Sequence, residues 1–409
     1  YLDKYHMNET MKDKTRNFQL VIFGATGFTG QIATKYIDHH YPNLKWAIAG
    51  RNKGKLEDLA NLCKNNKPDI VIGDSSNKAK LSHIASISKV VLSFAGPFNK
   101  YSNLLVECCL NEGAHYLDIT GENIWVKDLI DRHHEEAEKH GVKIVPSCGY
   151  DSIPSDIGSF FSQRSLDKKI LTIDCYQSGG GGVSGGTIES AFSMMEYKTK
   201  NKLGHTFLLN PKNSYSNIQR EKSKDKFSIK KIKYFNTWSA PFVMAPANTR
   251  VVRRSAALFD MMQNGYGEQF VYNEFMELKK YTSALIVSTS LVMLGLIISL
   301  PFRRVFRPLF TKPGNGPSIK TQDNGWFKSK FIIKTEDNKT YISKMYGKGD
   351  PGYKSTARFA CESAMSIIEN EDELDYKGGG VLTTATALGD CLVKRLSDKG
   401  VTFESPVEI

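Results

Sequence analysis

Cysteine is scarce and scattered. The seven residues at positions 63, 108, 109, 148, 175, 361 and 391 form no CxxC pair. An odd, dispersed set supplies neither a disulfide framework nor a zinc-finger spacing, so a reducing compartment is expected. The opening YLDKYHMNETMKDKTRN has no apolar core of the kind a secretory signal needs, and Asp3, Glu9 and Asp13 count against a mitochondrial presequence. Residues 1–17 therefore read as a tail. No arginine-rich reading helix or RNA-stacking signature occurs, which removes nucleic acid from the partners. RHHEEAEKH (132–140) resembles a metal helix, but a His-Glu-x-x-His motif needs histidine where Glu138 stands, so no metal is expected and these charges read as a solvated face.

What is present is apolar material, 40% of 409 residues, too much chain for one ordinary core. Two domains are expected. The formal charge of +12 suits an anionic partner, either a phosphorylated cofactor or a lipid surface.

In FQLVIFGATGFTGQIATKYI (18–37) a β-rich apolar run leads into Gly24-Ala25-Thr26-Gly27-Phe28-Thr29-Gly30 and then into a helical pattern carrying Ile32, Ala33, Tyr36 and Ile37. Gly24 permits a tight strand-to-helix turn, Gly27 lets backbone approach a pyrophosphate, and Gly30 lets the helix lie close to the strand. The helix start would offer N–H groups and a positive dipole end to phosphate. Strand-like and helix-like stretches continue to alternate through KWAIAG (45–50), DIVIG (69–73), VVLSFAG (90–96), HYLDITG (115–121) and KIVP (143–146). Six strands with intervening helices predict a Rossmann-type doubly wound parallel sheet of the α/β class.

NAD readers carry an acid at the end of the second strand to hold the ribose hydroxyls. Here that place reads Arg51-Asn52, followed by Lys53 and Lys55. A guanidinium matches a 2′-phosphate in charge and shape, so NADP(H) is the expected cofactor. Asp74 after the third strand is a candidate for the adenine side, and Ala95, Gly96 and Pro97 after the fourth for the nicotinamide or its phosphates. Thr120 after the fifth is a candidate contact of the same kind.

With these residues in place the chain resembles the saccharopine dehydrogenase-like oxidoreductases, a group that includes bacterial trans-acting enoyl reductases. The matching stretches are FGATGFTGQ (23–31), AGRN (49–52), GPF (96–98), YLDITGE (116–122), PSCGYDSIPSDIG (146–158), SGGTIESAF (184–192), VVRRS (251–255) and GGGVLTTATALGDCLVKRLSDKGVTFE (378–404). The resemblance implies an NADP-type fold over 18–157, completed by a C-terminal segment, 378–409. It also implies a second α+β domain, mainly an antiparallel sheet with helices, over 158–377. The implied chemistry is hydride transfer, and the enoyl reductase branch points to lipid-linked double bonds.

Reduction of an activated C=C needs a proton as well as a hydride. Tyr150 and Asp151, in CGYDSIPSD, are the candidates to supply or orient it, against the alternative of a helix cap and domain hinge. The glycine-rich SGGGGVSGGTIESAF (178–192) places Ser184, Gly185, Gly186 and Thr187 on the substrate side, or in a long turn. Tyr281 to Phe302 holds no charged residue over 22 positions, between Lys279-Lys280 and Arg303-Arg304. That length suffices to span a bilayer, but the blocks on either side belong to one fold. The expected arrangement is an inserted, membrane-anchoring segment, 281–310: a helix to Leu300, a break at Pro301 and an interfacial return over 302–310.

The leading expectation is an NADP(H)-dependent oxidoreductase on the cytosolic face of the endoplasmic reticulum or on a lipid droplet, acting on a lipid or lipid-linked small molecule. A homodimer is left open. Two alternatives stand beside it: a catalytically silent nucleotide-binding scaffold on a lipid surface, and a saccharopine-type dehydrogenase of soluble amino acids.

Overall fold

A computed structural model describes residues 16–180, 204–299 and 316–409. The chain opens with β1 (Phe18–Phe23), α1 (Phe28–His40), β2 (Trp46–Gly50), α2 (Lys53–Leu62), β3 (Asp69–Ile72), α3 (Lys78–Ser86) and β4 (Ser88–Ser93). It continues through α4 (Asn103–Glu112), β5 (His115–Asp118), α5 (Asn123–His140) and β6 (Lys143–Val145). Next come α6 (Ile153–Leu166), β7 (Ile170–Gly180), β8 (Lys230–Ile232), β9 (Thr237–Pro241), α7 (Ala245–Met261), β10 (Val271–Leu278), α8 (Tyr281–Ser299), β11 (Trp326–Thr335) and β12 (Thr340–Lys348). The last elements are α9 (Thr356–Asn370), β13 (Gly380–Val381), α10 (Thr384–Asp398) and β14 (Val401–Glu408). These elements divide between two compact units.

The first unit holds a seven-stranded sheet in the order β13-β6-β5-β4-β1-β2-β3, every neighbouring pair parallel. Its strands are near-continuous apolar runs because helices cover both faces of such a sheet. Leu20, Val21 and Ile22 are fully buried, each contributing roughly 1.5–3 kcal/mol by leaving water. The order reverses direction between β1 and β4, which is where a doubly wound sheet opens a crevice.

The second unit is a seven-stranded sheet in the order β14-β12-β11-β7-β10-β9-β8, antiparallel except for the β7–β10 pair. Helix α6 lies directly on it: a Cβ on Gly158 would stand 2.2 Å from the ring of Phe331. The C-terminal part differs from the sequence expectation in two respects. The return to the first unit begins at Tyr353, well before 378. The final strand β14 then pairs with the otherwise free edge of β12 in the second sheet, with a register shift between Ile342 and Lys344.

Helix α8 begins against β9, with the rings of Trp238 and Tyr281 meeting edge to face at 5.0 Å. Ala284 is buried, but Leu285, Ile286, Val292, Met293 and Leu296 are 46–64% exposed. Among the described residues no helix is long and apolar enough to cross a membrane. Pro301, the return over 302–310 and the loop residues Ser184, Gly185, Gly186 and Thr187 lie outside the described residues.

Candidate active site

The carboxyl ends of β1 to β4 converge on a cleft of about 330 Å³. It is lined by Gly24, Thr26 and Gly27 after β1, Arg51 after β2, Asp74 after β3, and Ala95 and Gly96 after β4. Seven residues singled out from the sequence thus share one wall, at the crevice where such sheets bind dinucleotides. The three glycines have separate causes. Gly24 has φ +76°, and a Cβ there would stand 2.9 Å from the amide nitrogen of Ala95. At Gly30 a Cβ would come within 2.5 Å of the Gly24 carbonyl oxygen, so glycine is what lets α1 close on the turn. Gly27 has only a 3.3 Å neighbour and is exposed. A Cβ at Gly27 would crowd the Gly24 carbonyl oxygen far less than one at Gly30, and the residue lines the cleft.

Helix α1 starts at the cleft with no side chain capping it. Its first N–H groups lack intrahelical acceptors, which is what a phosphate uses. Arg51 is exposed. Asp74 accepts from the Ser76 hydroxyl at 2.6 Å and the Ser76 N–H at 2.9 Å. These bonds, with a smaller contribution from Arg51, hold its carboxyl below the usual range.

Other predicted positions serve the scaffold around this wall. Ala25 is fully buried under Gly30. Phe28 packs edge to face on Tyr353 at 4.6 Å. Thr29 is partly buried within the first turn of α1. Asn52 turns its Oδ1 to the Lys55 N–H at 3.0 Å and caps α2. Pro97 occupies the position before the short helix Phe98–Tyr101. Thr120 is buried, its N–H donating to Asp118 Oδ1 at 2.9 Å and its carbonyl accepting from Ser147 Oγ at 2.7 Å. In the metal-like stretch, His134 Nδ1 accepts the Val381 N–H at 3.1 Å, a structural role.

A parallel α/β unit with this cleft is a dinucleotide-binding fold. Residues 20–145 match the saccharopine dehydrogenase NADP binding domain. Over nearly full length the chain is 30% identical to a trans-acting enoyl reductase of Mycobacterium ulcerans, covering 97% of this chain and 99% of that one. The corresponding protein of Mycobacterium tuberculosis is 30% identical, with 96% and 99% covered. In fold it is similar to the saccharopine dehydrogenase (L-Glu forming) of Saccharomyces cerevisiae, with a TM-score of 0.54, 12% identity, and 96% and 100% of the chains covered. The chain belongs to the saccharopine dehydrogenase-like oxidoreductases, together with the trans-acting enoyl reductases. It is an NADP-dependent oxidoreductase.

The second unit holds a polar centre that sequence patterns did not single out. Glu274 of β10 is 4% exposed. Its Oε1 accepts from Ser155 Oγ at 2.8 Å, Gln177 Nε2 at 2.8 Å and Asn248 Nδ2 at 3.0 Å. Burial pushes the carboxyl up to about 7, although those three donors oppose the shift. Tyr150 and Asp151 stand just before α6, the helix that carries Ser155. The Tyr150 ring rests edge to face on Phe327 at 5.5 Å, and burial raises its phenol above the usual value. Burial likewise pushes Asp151 up to about 6. Ser152 sits at the N-cap position of α6 but caps no backbone group, its hydroxyl facing Asn248 Oδ1 at 3.4 Å instead. Ser255, in VVRRS, donates to Asp156, in CGYDSIPSD, so two family-like blocks interlock here.

Proposed function

We propose that the protein reduces the activated double bond of a lipid-linked enoyl substrate with NADPH while anchored to a lipid surface. NADP(H) supplies the hydride. Arg51 would hold the 2′-phosphate, the turn Gly24–Gly30 and the start of α1 the pyrophosphate, and Ala95 and Gly96 the backbone beside the nicotinamide. Asp151, a partly exposed carboxyl held nearer neutrality than an ordinary aspartate, is the proposed proton donor, with Tyr150 beside it in the chain. The observation that carries the reading is the convergence of Gly24, Gly27, Arg51, Asp74 and Ala95 on one cleft.

The anchoring half rests on α8. Five large apolar side chains at 46–64% exposure on one helix are a patch that soluble surfaces rarely carry. A basic and aromatic base supports it. Lys231, Trp238 and Leu278 occupy one cross-strand row, and exposed Lys279 and Lys280 follow before Tyr281. Such residues suit the headgroup level, with the apolar helix in the acyl layer. A monolayer such as a lipid droplet, or the cytosolic leaflet of the endoplasmic reticulum, would accept it. The test is NADPH consumption with a long-chain enoyl thioester presented in vesicles. Turnover that requires both NADPH and the acyl chain is expected, and equal turnover of a soluble amino-acid substrate contradicts it.

A further inference from the structure

Positive charge collects where α8 leaves the second sheet. The pairing of β8, β9 and β10 puts Lys231 opposite Trp238, and Trp238 opposite Leu278. Ile232 faces Thr237 one row further on. The β8–β9 turn, with Lys233 and Tyr234, therefore lies at the same end of the sheet as Lys279 and Lys280, which follow β10. All four lysines are exposed. Tyr234 is 53% and Tyr281 49% exposed, and Tyr281 meets Trp238 edge to face. The root of α8 is thus surrounded by ammonium groups and aromatic side chains.

Opposite charge is missing there. Between Asp225 and Asp260 the chain has no acidic residue, and between Glu277 and Asp323 it has none either. Glu277, in the row next to Trp238, is already engaged. It accepts from Lys330 Nζ at 2.7 Å and from Thr237 Oγ1 at 2.8 Å. Among the described residues, Lys231, Lys233, Lys279 and Lys280 make no ion pair or side-chain hydrogen bond. Ordinary soluble surfaces intersperse the two signs. Like charges gathered at one sheet end repel one another and raise the local positive potential. The patch also adjoins a helix whose Leu285 and Ile286 are 46% and 64% exposed, so its partner must offer negative charge and an apolar layer together. An anionic lipid surface offers both.

We propose that Lys231, Lys233, Lys279 and Lys280 form a collar that binds anionic phospholipid and directs α8 to lipid surfaces of net negative charge. The inference rests on the anchoring reading above and names the lipid class that the anchor prefers. A lysine ammonium is a compact, hydrated charge on a flexible stem and lacks the planar fork of arginine. The collar therefore responds to surface charge density rather than to the shape of one headgroup. Each lysine held near a charged leaflet multiplies partitioning about 5-fold. The attraction reaches only about 8 Å at physiological salt, so the four lysines act because they sit at the level where α8 enters. Zwitterionic headgroups carry no net charge and leave the anchor to the apolar side chains alone.

Flotation of the full-length protein with two kinds of vesicle tests this: phosphatidylcholine alone, and phosphatidylcholine with about 30% phosphatidylserine. At low salt the wild type should partition at least about 100-fold more strongly onto the anionic vesicles. That excess should vanish at about 1 M salt, where the screening length is roughly 3 Å. Phosphatidylglycerol at the same surface charge should replace phosphatidylserine without loss. Combining Lys231→Gln, Lys233→Gln, Lys279→Gln and Lys280→Gln should bring partitioning onto the anionic vesicles down to the phosphatidylcholine level. Arginine at the same four positions should keep the excess, and circular dichroism should match the wild type in both variants. An excess that survives the glutamine changes, or that follows one headgroup at equal charge, overturns the proposal. Equal partitioning of the wild type onto both vesicles overturns it as well, and leaves α8 standing as the anchor. Salt-sensitive binding to anionic vesicles with none to phosphatidylcholine supports the collar and overturns the apolar anchor.

Discussion

A Cβ placed on Gly30 would stand 2.5 Å from the carbonyl oxygen of Gly24, while one placed on Gly27 meets nothing closer than 3.3 Å. The two glycines therefore separate folding from binding. Gly30→Ala should cost about 1–3 kcal/mol by forcing α1 away from the turn and should weaken NADPH binding as a consequence. Gly27→Ala should lower the melting temperature less than Gly30→Ala and still weaken NADPH, because Gly27 lines the cleft. Paired melting curves and NADPH titrations check this. Equal melting losses in both variants would contradict it.

Helix α8 makes the second prediction. Leu285 and Ile286 are 46% and 64% exposed, so the double change to serine gives up only part of each side chain's packing within the fold. At roughly 1.5–3 kcal/mol for each side chain transferred out of water, it should lower vesicle partitioning at least about 100-fold. Circular dichroism should be unchanged. Flotation with phosphatidylcholine vesicles measures it, and retained flotation of the variant would remove α8 as the anchor.

The third prediction concerns acid stability. Asp38 is 7% exposed and accepts the N–H groups of Lys64, Asn65 and Asn66 at 3.2, 2.9 and 2.7 Å. Burial alone would raise its pKa, but the three backbone donors outweigh burial and lower it. A carboxyl whose folded value lies below its unfolded value stabilises the fold above the unfolded pKa. That contribution is lost as pH falls through the folded value. Asp38→Ala should cost about 1–3 kcal/mol at neutral pH, and much less in acid. Denaturant midpoints at the two pH values decide it, and a cost independent of pH would contradict it.

Six strands of the parallel sheet, β1 to β6, were legible because each is an apolar run ended by a glycine or a short turn, and both signals are local; the seventh, the two-residue β13, carries no such signal. The cleft was legible for a related reason: Gly24, Arg51, Asp74 and Ala95 each follow a strand end, so topology alone brings them together. Asn52 shows the limit. It follows Arg51 directly, yet an Asn three residues before a helical Lys55 N–H is also a cap, and capping takes its side chain. Glu274 was out of reach for a different reason. VYNEFMEL reads as an ordinary strand, and Ser155, Gln177 and Asn248 are brought to it from 119, 97 and 26 residues away. Of the two glutamates in that strand, Glu274 and Glu277, no local pattern distinguishes the one that is buried. The pairing of β14 with β12 likewise depends on a long-range register that no local pattern records.

The central claim is that the cleft between β1 and β4 binds NADP(H), with Arg51 reading the 2′-phosphate. Titration of the wild type and of Arg51→Ala with NADPH and with NADH, followed by cofactor fluorescence, tests it most directly. The account predicts strong NADPH preference in the wild type and loss of that preference, with NADH affinity little changed, in Arg51→Ala. Equal affinity for both cofactors in the wild type, or a preference that survives the substitution, would contradict it.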